Sequence, residues 1–287
     1  MGEFMKKFLL LAILIMSTSA FALPVAPFDA LQVNPVKSKT IKASEYDFEG
    51  IVKLSNCSGA LIKFNGMPST AKAVVMTNGH CIQKPTGYLN AGEAWFNRPM
   101  ARDMKLFNKS MNLFPIKTTK IIYATMTDTD LALYELDKTY AEIYKATNVR
   151  PLLLDTIRPS IGRPIEIISG YWDRGYTCEV DNFVFQVKEG QWTWTDSIRY
   201  TPGCDTIGGT SGSPLIAKGE RVVVGINNTA NDKGERCTVN NPCEVSANGD
   251  IHATQGVRYG QQTYNVYNCL TVDFQVDLTI NGCDLPK

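Results

Sequence analysis

The sequence predicts an all-β protein built as a pair of barrels, and three observations carry this expectation. Short apolar, β-branched runs recur between turn-forming residues along most of the chain. The 287 residues exceed the usual size of one small domain, yet suit a single two-barrel β unit with processed ends. A stretch at 145–156, including Pro151, divides the runs into two groups and reads as the crossing between barrels.

Taken in order, Met1-Gly2-Glu3-Phe4 precedes a second methionine and reads as a cloning scar. Met5-Lys6-Lys7, the apolar residues 8–16 and Ser17-Thr18-Ser19-Ala20-Phe21-Ala22 follow the positive, apolar and small-residue sections of a secretory signal peptide, with cleavage expected after Ala22. The apolar section is shorter than the roughly 20 residues of a spanning helix, and no later run reaches that length. Residues 23–39 carry Pro24, Pro27 and Pro35 and read as a leader or short propeptide, with cleavage expected near Lys37 or Lys39. Residues 40–287 form the remaining domain. Barrel one is placed at about 41–150, barrel two at about 151–270, and a C-terminal extension at 271–287. Strands are expected at 50–54, 60–64, 73–77, 120–124 and 131–136 in the first half, and at 165–169, 182–187, 215–217 and 221–226 in the second.

Lysine and arginine number 29 against 28 aspartates and glutamates, a net charge of +1 with no basic cluster. This balance gives no ground for a nucleic-acid or anionic-membrane partner, and a monomer is expected. Eight cysteines behind a signal peptide imply disulfides and a secreted or periplasmic location. Metal binding is disfavoured: no Cys-x-x-Cys pair occurs, five residues separate Cys237 from Cys243, and the two histidines are poorly spaced as further ligands. No cofactor is expected.

The chemistry centres on Gly208-Gly209-Thr210-Ser211-Gly212-Ser213-Pro214-Leu215, a serine in a glycine-bracketed turn. Gly209 and Gly212 allow the backbone to bend close to a substrate, and the amides of Gly209 and Ser211 can converge on a developing negative oxygen. A serine nucleophile needs a base, and the chain has only His80 and His252. His80 ends the apolar run 73–77 beside Cys81, whereas His252 lies in a polar stretch and reads as a solvated loop residue. A carboxylate to orient the imidazole is found at Asp130, which leads directly into the apolar Leu131-Ala132-Leu133-Tyr134; Asp128 is the runner-up. Singly, the serine motif also fits a surface turn, and His80 a structural residue at a strand end.

The order His80, Asp130, Ser211, with Cys57-Ser58-Gly59-Ala60-Leu61-Ile62 ahead of the histidine, resembles the chymotrypsin-like serine proteases from about residue 41 to 270. Its Gly-Gly-x-Ser-Gly-Ser-Pro form resembles the bacterial glutamyl endopeptidase branch. The resemblance implies two six-stranded antiparallel β-barrels with the site in the cleft between them, and a serine endopeptidase acting on protein or peptide substrates. It assigns His80, Asp130 and Ser211 as the triad and the Gly209 and Ser211 amides as the oxyanion hole. Together with sequence proximity it pairs Cys57 with Cys81; by the same reasoning Cys178 pairs with Cys204, Cys237 with Cys243, and Cys269 with Cys283. One departure stands out. Where the digestive enzymes place an aspartate that pairs with a newly cut N-terminus, this chain has Thr210, so activation as a zymogen must take another route.

The same resemblance places Asp205 and Thr206 in the primary substrate pocket, with Gly225, Ile226 and Asn227 on the strand that lines it. A partly desolvated Asp205 at the pocket base favours cleavage after arginine or lysine. Thr206 points instead to glutamate, but Asn227 occupies the place where the glutamyl enzymes carry a histidine. Glutamyl or broad specificity is therefore the competing expectation. Two other function classes remain: an inactive protease-like binding module, and an esterase, which Gly209-Thr210-Ser211-Gly212-Ser213 fits poorly because it lacks the second glycine of Gly-x-Ser-x-Gly.

Overall fold

The computed structural model describes residues 45–287 apart from Gln83 and Thr86. The expected signal peptide, leader and cleavage sites lie outside these residues. In chain order the strands of the first half are β1 (Ile51–Lys53), β2 (Ser58–Lys63), β3 (Lys72–Thr77), β4 (Ala94–Pro99), β5 (Asp103–Phe107), β6 (Leu113–Thr125) and β7 (Leu131–Thr139). Helix α1 (Tyr140–Thr147) and β8 (Leu152–Leu154) follow. The second half holds β9 (Pro164–Ser169), β10 (Arg174–Glu189), β11 (Trp192–Tyr200), β12 (Pro214–Ala217), β13 (Val222–Ala230), β14 (Cys243–Val245), β15 (Ile251–His252) and β16 (Arg258–Gln261).

Two antiparallel rings close. In the first, β1 pairs β2, then β3, β7, β6 and β5, which returns to β1. In the second, β9 pairs β10, then β11, β16, β13 and β12, which returns to β9. Closure leaves the ring strands no free edges, and their inward residues fill the interiors. The first barrel buries Leu61, Val75, Ile121 and Leu133, and the second Ile165, Ile167, Ile198, Leu215 and Val224.

The crossing at 145–156 has definite structure. Helix α1 starts at a capping box, in which the Thr139 hydroxyl accepts from the Glu142 amide and the Glu142 carboxylate accepts from Thr139. It ends at Asn148, whose φ of 56° turns the chain into a left-handed cap. Strand β8 then runs parallel to β2 on one side and β13 on the other, so the connection itself stitches the barrels together. The C-terminal segment returns to barrel one, where Leu285 is buried and the Pro286 carbonyl accepts from the Tyr123 hydroxyl.

The disulfides are Cys57–Cys81, Cys178–Cys204, Cys237–Cys243 and Cys269–Cys283, the four pairs expected. Cys57–Cys81 ties the start of β2 to the 3-10 turn Gly79–Cys81 across a separation of 24 residues. Replacing both cysteines with alanine should lower unfolding free energy by about 2–4 kcal/mol. Denaturant titration checks this, and an unchanged midpoint would show that the tether does not constrain the unfolded chain.

Candidate active site

Strand β3 is apolar from Ala73 to Met76 and buried along that length, so it delivers the following turn at a fixed point on barrel one. In that turn the His80 ring lies 2.7 Å from Asp130, Nδ1 to Oδ2, and the His80 backbone N–H donates to Oδ1 at 3.0 Å. The Asn78 side-chain amide donates to the Asp130 carbonyl at 2.8 Å. Asp130 is fully buried just before β7, so its carboxylate is held by one residue at both oxygens. Because a carboxylate only accepts, Nδ1 carries the proton and Nε2 is left as the basic nitrogen.

Burial pushes the His80 pKa down, but the charge and hydrogen bond of Asp130, with a further contribution from the charge of Glu189, carry it above its ordinary 6.5. Glu189 ends β10 and is itself buried. Its carboxylate accepts from the Thr229 hydroxyl at 2.5 Å and the Asn240 amide at 2.7 Å. Burial raises its pKa against these hydrogen bonds. Tyr88 packs edge-on against both His80 and Trp192, which opens β11, so the second barrel reaches over the histidine.

Ser211 comes from the second barrel. The Ser58 amide donates to the Ser211 carbonyl at 2.8 Å, the Gly212 amide to the Asn227 carbonyl at 3.0 Å, and the Asn227 amide to the Ser213 carbonyl at 2.8 Å. Gly212 has φ of 79°, and a Cβ there would run into the Ser58 carbonyl and the Thr77 hydroxyl, so only glycine fits between β2 and the end of β3. The Ser211 hydroxyl donates to the Asn228 carbonyl at 3.3 Å; among the described residues it has no hydrogen bond to His80. The Thr210 amide bonds the Ile207 carbonyl at 3.0 Å, whereas the amides of Gly209 and Ser211 have no partner among the described residues. Two free N–H groups next to a serine hydroxyl can donate to an oxygen acquiring negative charge.

The structure separates several sequence candidates. Asp130 meets His80. Asp128, with φ of 56°, is exposed, and its backbone forms a bridge to Trp194. His252 lies exposed in β15, opposite Glu244. Asp205 requires a correction: it is exposed, not a desolvated carboxylate at a pocket base, because the loop turns Thr206 inward instead. Gly225 and Ile226 are buried ladder residues of β13 opposite Leu215 and Pro214, and Asn227 accepts from the Tyr200 hydroxyl at 3.3 Å inside the barrel.

Residues the sequence did not single out also shape the site. Arg258, at the start of β16, is paired with Ala230 at the end of β13. Its guanidinium donates to the Thr206 carbonyl at 2.8 Å and the Gly256 carbonyl at 2.6 Å. No acidic side chain lies within 4 Å of it among the described residues. A cleft of about 450 Å³ is lined by His80 together with Asn56, Ile82, Lys84 and Tyr88. Cys57, His80 and Cys81 cluster within 4.8 Å, but the two sulfurs are bonded to each other and offer no thiolate to a metal.

Two closed barrels with a histidine, a buried aspartate and a serine loop at their junction define a class of protein, and comparison of the chain with known families names it. The model of the trypsin-like peptidase domain matches residues 57–226, more than half of the chain, which therefore belongs to that family. No curated protein matches the sequence. Among solved structures, the inactive form of the Rv3671c protease is similar at 13% identity and TM-score 0.46, over 77% of this chain and 87% of that one. Kallikrein-related peptidase 10 is similar at 15% identity and TM-score 0.46, over 76% and 91%. The Nocardiopsis protease is similar at 14% identity and TM-score 0.43, over 76% and 93%.

A base must be neutral, and the His80 pKa is raised, so any turnover that uses Nε2 as its base should climb with pH through a midpoint above 6.5. Glu189→Gln removes a charge that favours the imidazolium and should move that midpoint down. Stability takes the opposite sign. The His80–Asp130 pair contributes fully below the unfolded-state value near 6.5, and this contribution is lost as pH rises through the higher folded-state pKa. A pH–rate profile centred at or below 6.5 contradicts the electrostatic assignment.

Proposed function

We propose that this trypsin-like peptidase is an exported serine endopeptidase that works through Ser211, His80 and Asp130. The observation that carries the reading is the double engagement of Asp130 by the ring and backbone of His80, which leaves Nε2 free as a base. In the proposed reaction the Ser211 hydroxyl turns from the Asn228 carbonyl toward Nε2. Its oxygen bonds to the substrate carbonyl carbon while the proton passes to His80. The oxyanion that forms accepts from the Gly209 and Ser211 amides. Collapse breaks the peptide bond as His80 returns the proton to the leaving amine; water, deprotonated by the same histidine, then hydrolyses the acyl-enzyme.

Ser211→Ala and His80→Ala should each reduce peptide turnover nearly as far as the double variant, since nucleophile and base act together. Asp130→Asn should cost about 10⁴-fold, with the fold retained. Steady-state hydrolysis of a peptide substrate beside circular dichroism checks both. An inactive binding module predicts no turnover in the wild type, and an esterase predicts hydrolysis of short esters without peptides. Four disulfides and the charge pattern of residues 5–22 support export to an oxidising compartment, secreted or periplasmic.

The expectation of cleavage after arginine or lysine rests on a desolvated Asp205, and the exposure of Asp205 removes that ground. Arg258, held on the Thr206 carbonyl opposite Ala230, supplies positive charge beside the inward-turned Thr206. Its charge reaches Asp232, with which it forms no ion pair among the described residues. The reading we favour is therefore preference for an acidic or uncharged side chain before the scissile bond, read by Arg258 and Thr206. Matched peptides differing only at that residue should be cut faster with glutamate or aspartate than with arginine, and Arg258→Ser should reverse or flatten the order. Faster cleavage after arginine, abolished by Asp205→Ser, would restore the basic pocket.

A further inference from the structure

The nucleophile loop contains a peptide that can face two ways. Gly208 and Gly209 flank it, and neither has a side chain to resist rotation of the plane between them. A trans peptide points its C=O and N–H in opposite directions, so the orientation of the Gly208 carbonyl decides whether the Gly209 N–H faces the reacting oxygen or turns its back. In the flipped state the carbonyl would present a partial negative charge where the oxyanion must form. An ion pair to the residue before the nucleophile cannot hold this loop, because that residue is Thr210, buried with its hydroxyl 3.5 Å from that of Tyr176.

Something else holds it. The indole Nε1–H of Trp172 donates to the Gly208 carbonyl at 2.6 Å. The Ser58 hydroxyl lies 3.2 Å from the Gly209 carbonyl in donor geometry. Around the Gly209 and Ser211 amides, which are free among the described residues, the amides of Thr210, Gly212 and Ser213 are all bonded. Gly209, with φ of 87°, sits directly against the aromatic pair that follows β9. A Cβ there would lie 2.8 Å from Tyr171 Cδ1 and 2.9 Å from Trp172 Nε1. The pair is itself anchored: the rings stack edge-on at 4.9 Å, the Tyr171 amide donates to the Ser58 hydroxyl at 3.1 Å, and the Trp172 amide to the Ser169 hydroxyl at 3.3 Å. Ser58 and Ser169 are hydrogen-bonded to each other at 2.9 Å.

We propose that Trp172 is a positioning residue that holds the Gly208–Gly209 peptide with its N–H toward the reacting oxygen, in place of an ion pair behind the nucleophile. The proposal rests on the serine-peptidase reading. Trp172 never touches substrate in this role; it acts through Gly209. Trp172 is about half exposed (47%), so losing the indole nitrogen should barely affect folding.

Two replacements separate the hydrogen bond from the packing: Trp172→Phe, and site-specific exchange of Trp172 for 3-benzothienylalanine, which keeps the bicyclic ring and puts sulfur where the N–H was. Both should lower kcat roughly tenfold, less than the ~10²–10³-fold cost of losing an oxyanion donor outright, with KM and melting temperature unchanged. Inactivation by a fluorophosphonate, whose phosphoryl oxygen occupies the same position, should slow in parallel. Loss of kcat in Trp172→Phe but not in the benzothienyl protein would assign the effect to packing and overturn the proposal. A crystal structure of Trp172→Phe gives a readout independent of activity. The Gly208 carbonyl turned toward Ser211 is the expected result, and a carbonyl left in place overturns the lock even if the wild-type protein proves inactive.

Discussion

The hydrogen bond from the Ser58 amide to the Ser211 carbonyl joins the two barrels at the point where their side chains have to meet. Ser58 opens β2 in the first barrel, one residue after the half-cystine bonded to Cys81, which in turn follows His80. The serine loop and the histidine turn are therefore referred to a single short stretch of backbone. Gly212 makes the junction close, since its missing side chain is the space in which the Ser58 carbonyl and the Thr77 hydroxyl sit. The Ser58 hydroxyl continues the same contact to Ser169 and to the Gly209 carbonyl, so one residue serves the position of Ser211 and of the amides beside it.

Around that junction two carboxylates are buried. Asp130 is fully buried and faces His80, and Glu189 adds a second buried carboxylate from the other barrel with only neutral hydrogen-bond donors on it. Both favour a cation at the imidazole, which is the charge His80 would acquire on taking a proton. Arg258 carries the opposite sign, held on the Thr206 carbonyl. Two buried carboxylates thus act on the imidazole of His80, while a guanidinium stands at Thr206.

Much of this was legible in the chain because the informative residues lie next to strong local patterns. His80 follows Ala73-Val74-Val75-Met76, Asp130 precedes Leu131-Ala132-Leu133-Tyr134, and each apolar run fixed the residue at its end. Strand β11 lies outside the expected runs although Trp192-Thr193-Trp194-Thr195 alternates with period two and puts both tryptophans inside. Strands β4 and β5 were obscured by Arg98, Pro99, Asp103 and Lys105, which belong to the more exposed faces of barrel one. The pocket departs from expectation for a different reason. Counting residues back from Ser211 gives a position along the chain, but whether Asp205 or Thr206 turns inward depends on the loop held by Cys178–Cys204 and Arg258. Glu189, Trp172 and Arg258 left no signal of their own, since Thr229, Gly208 and Thr206, which they meet, lie far away in sequence.

The most direct test of the account is where a fluorophosphonate attaches. Intact-mass measurement followed by peptide mapping should find one adduct, on Ser211, with its rate of formation falling as His80 becomes protonated. An adduct on another serine, or none at Ser211 in folded protein with all four disulfides formed, would contradict the claim that the two barrels meet to make this serine a nucleophile.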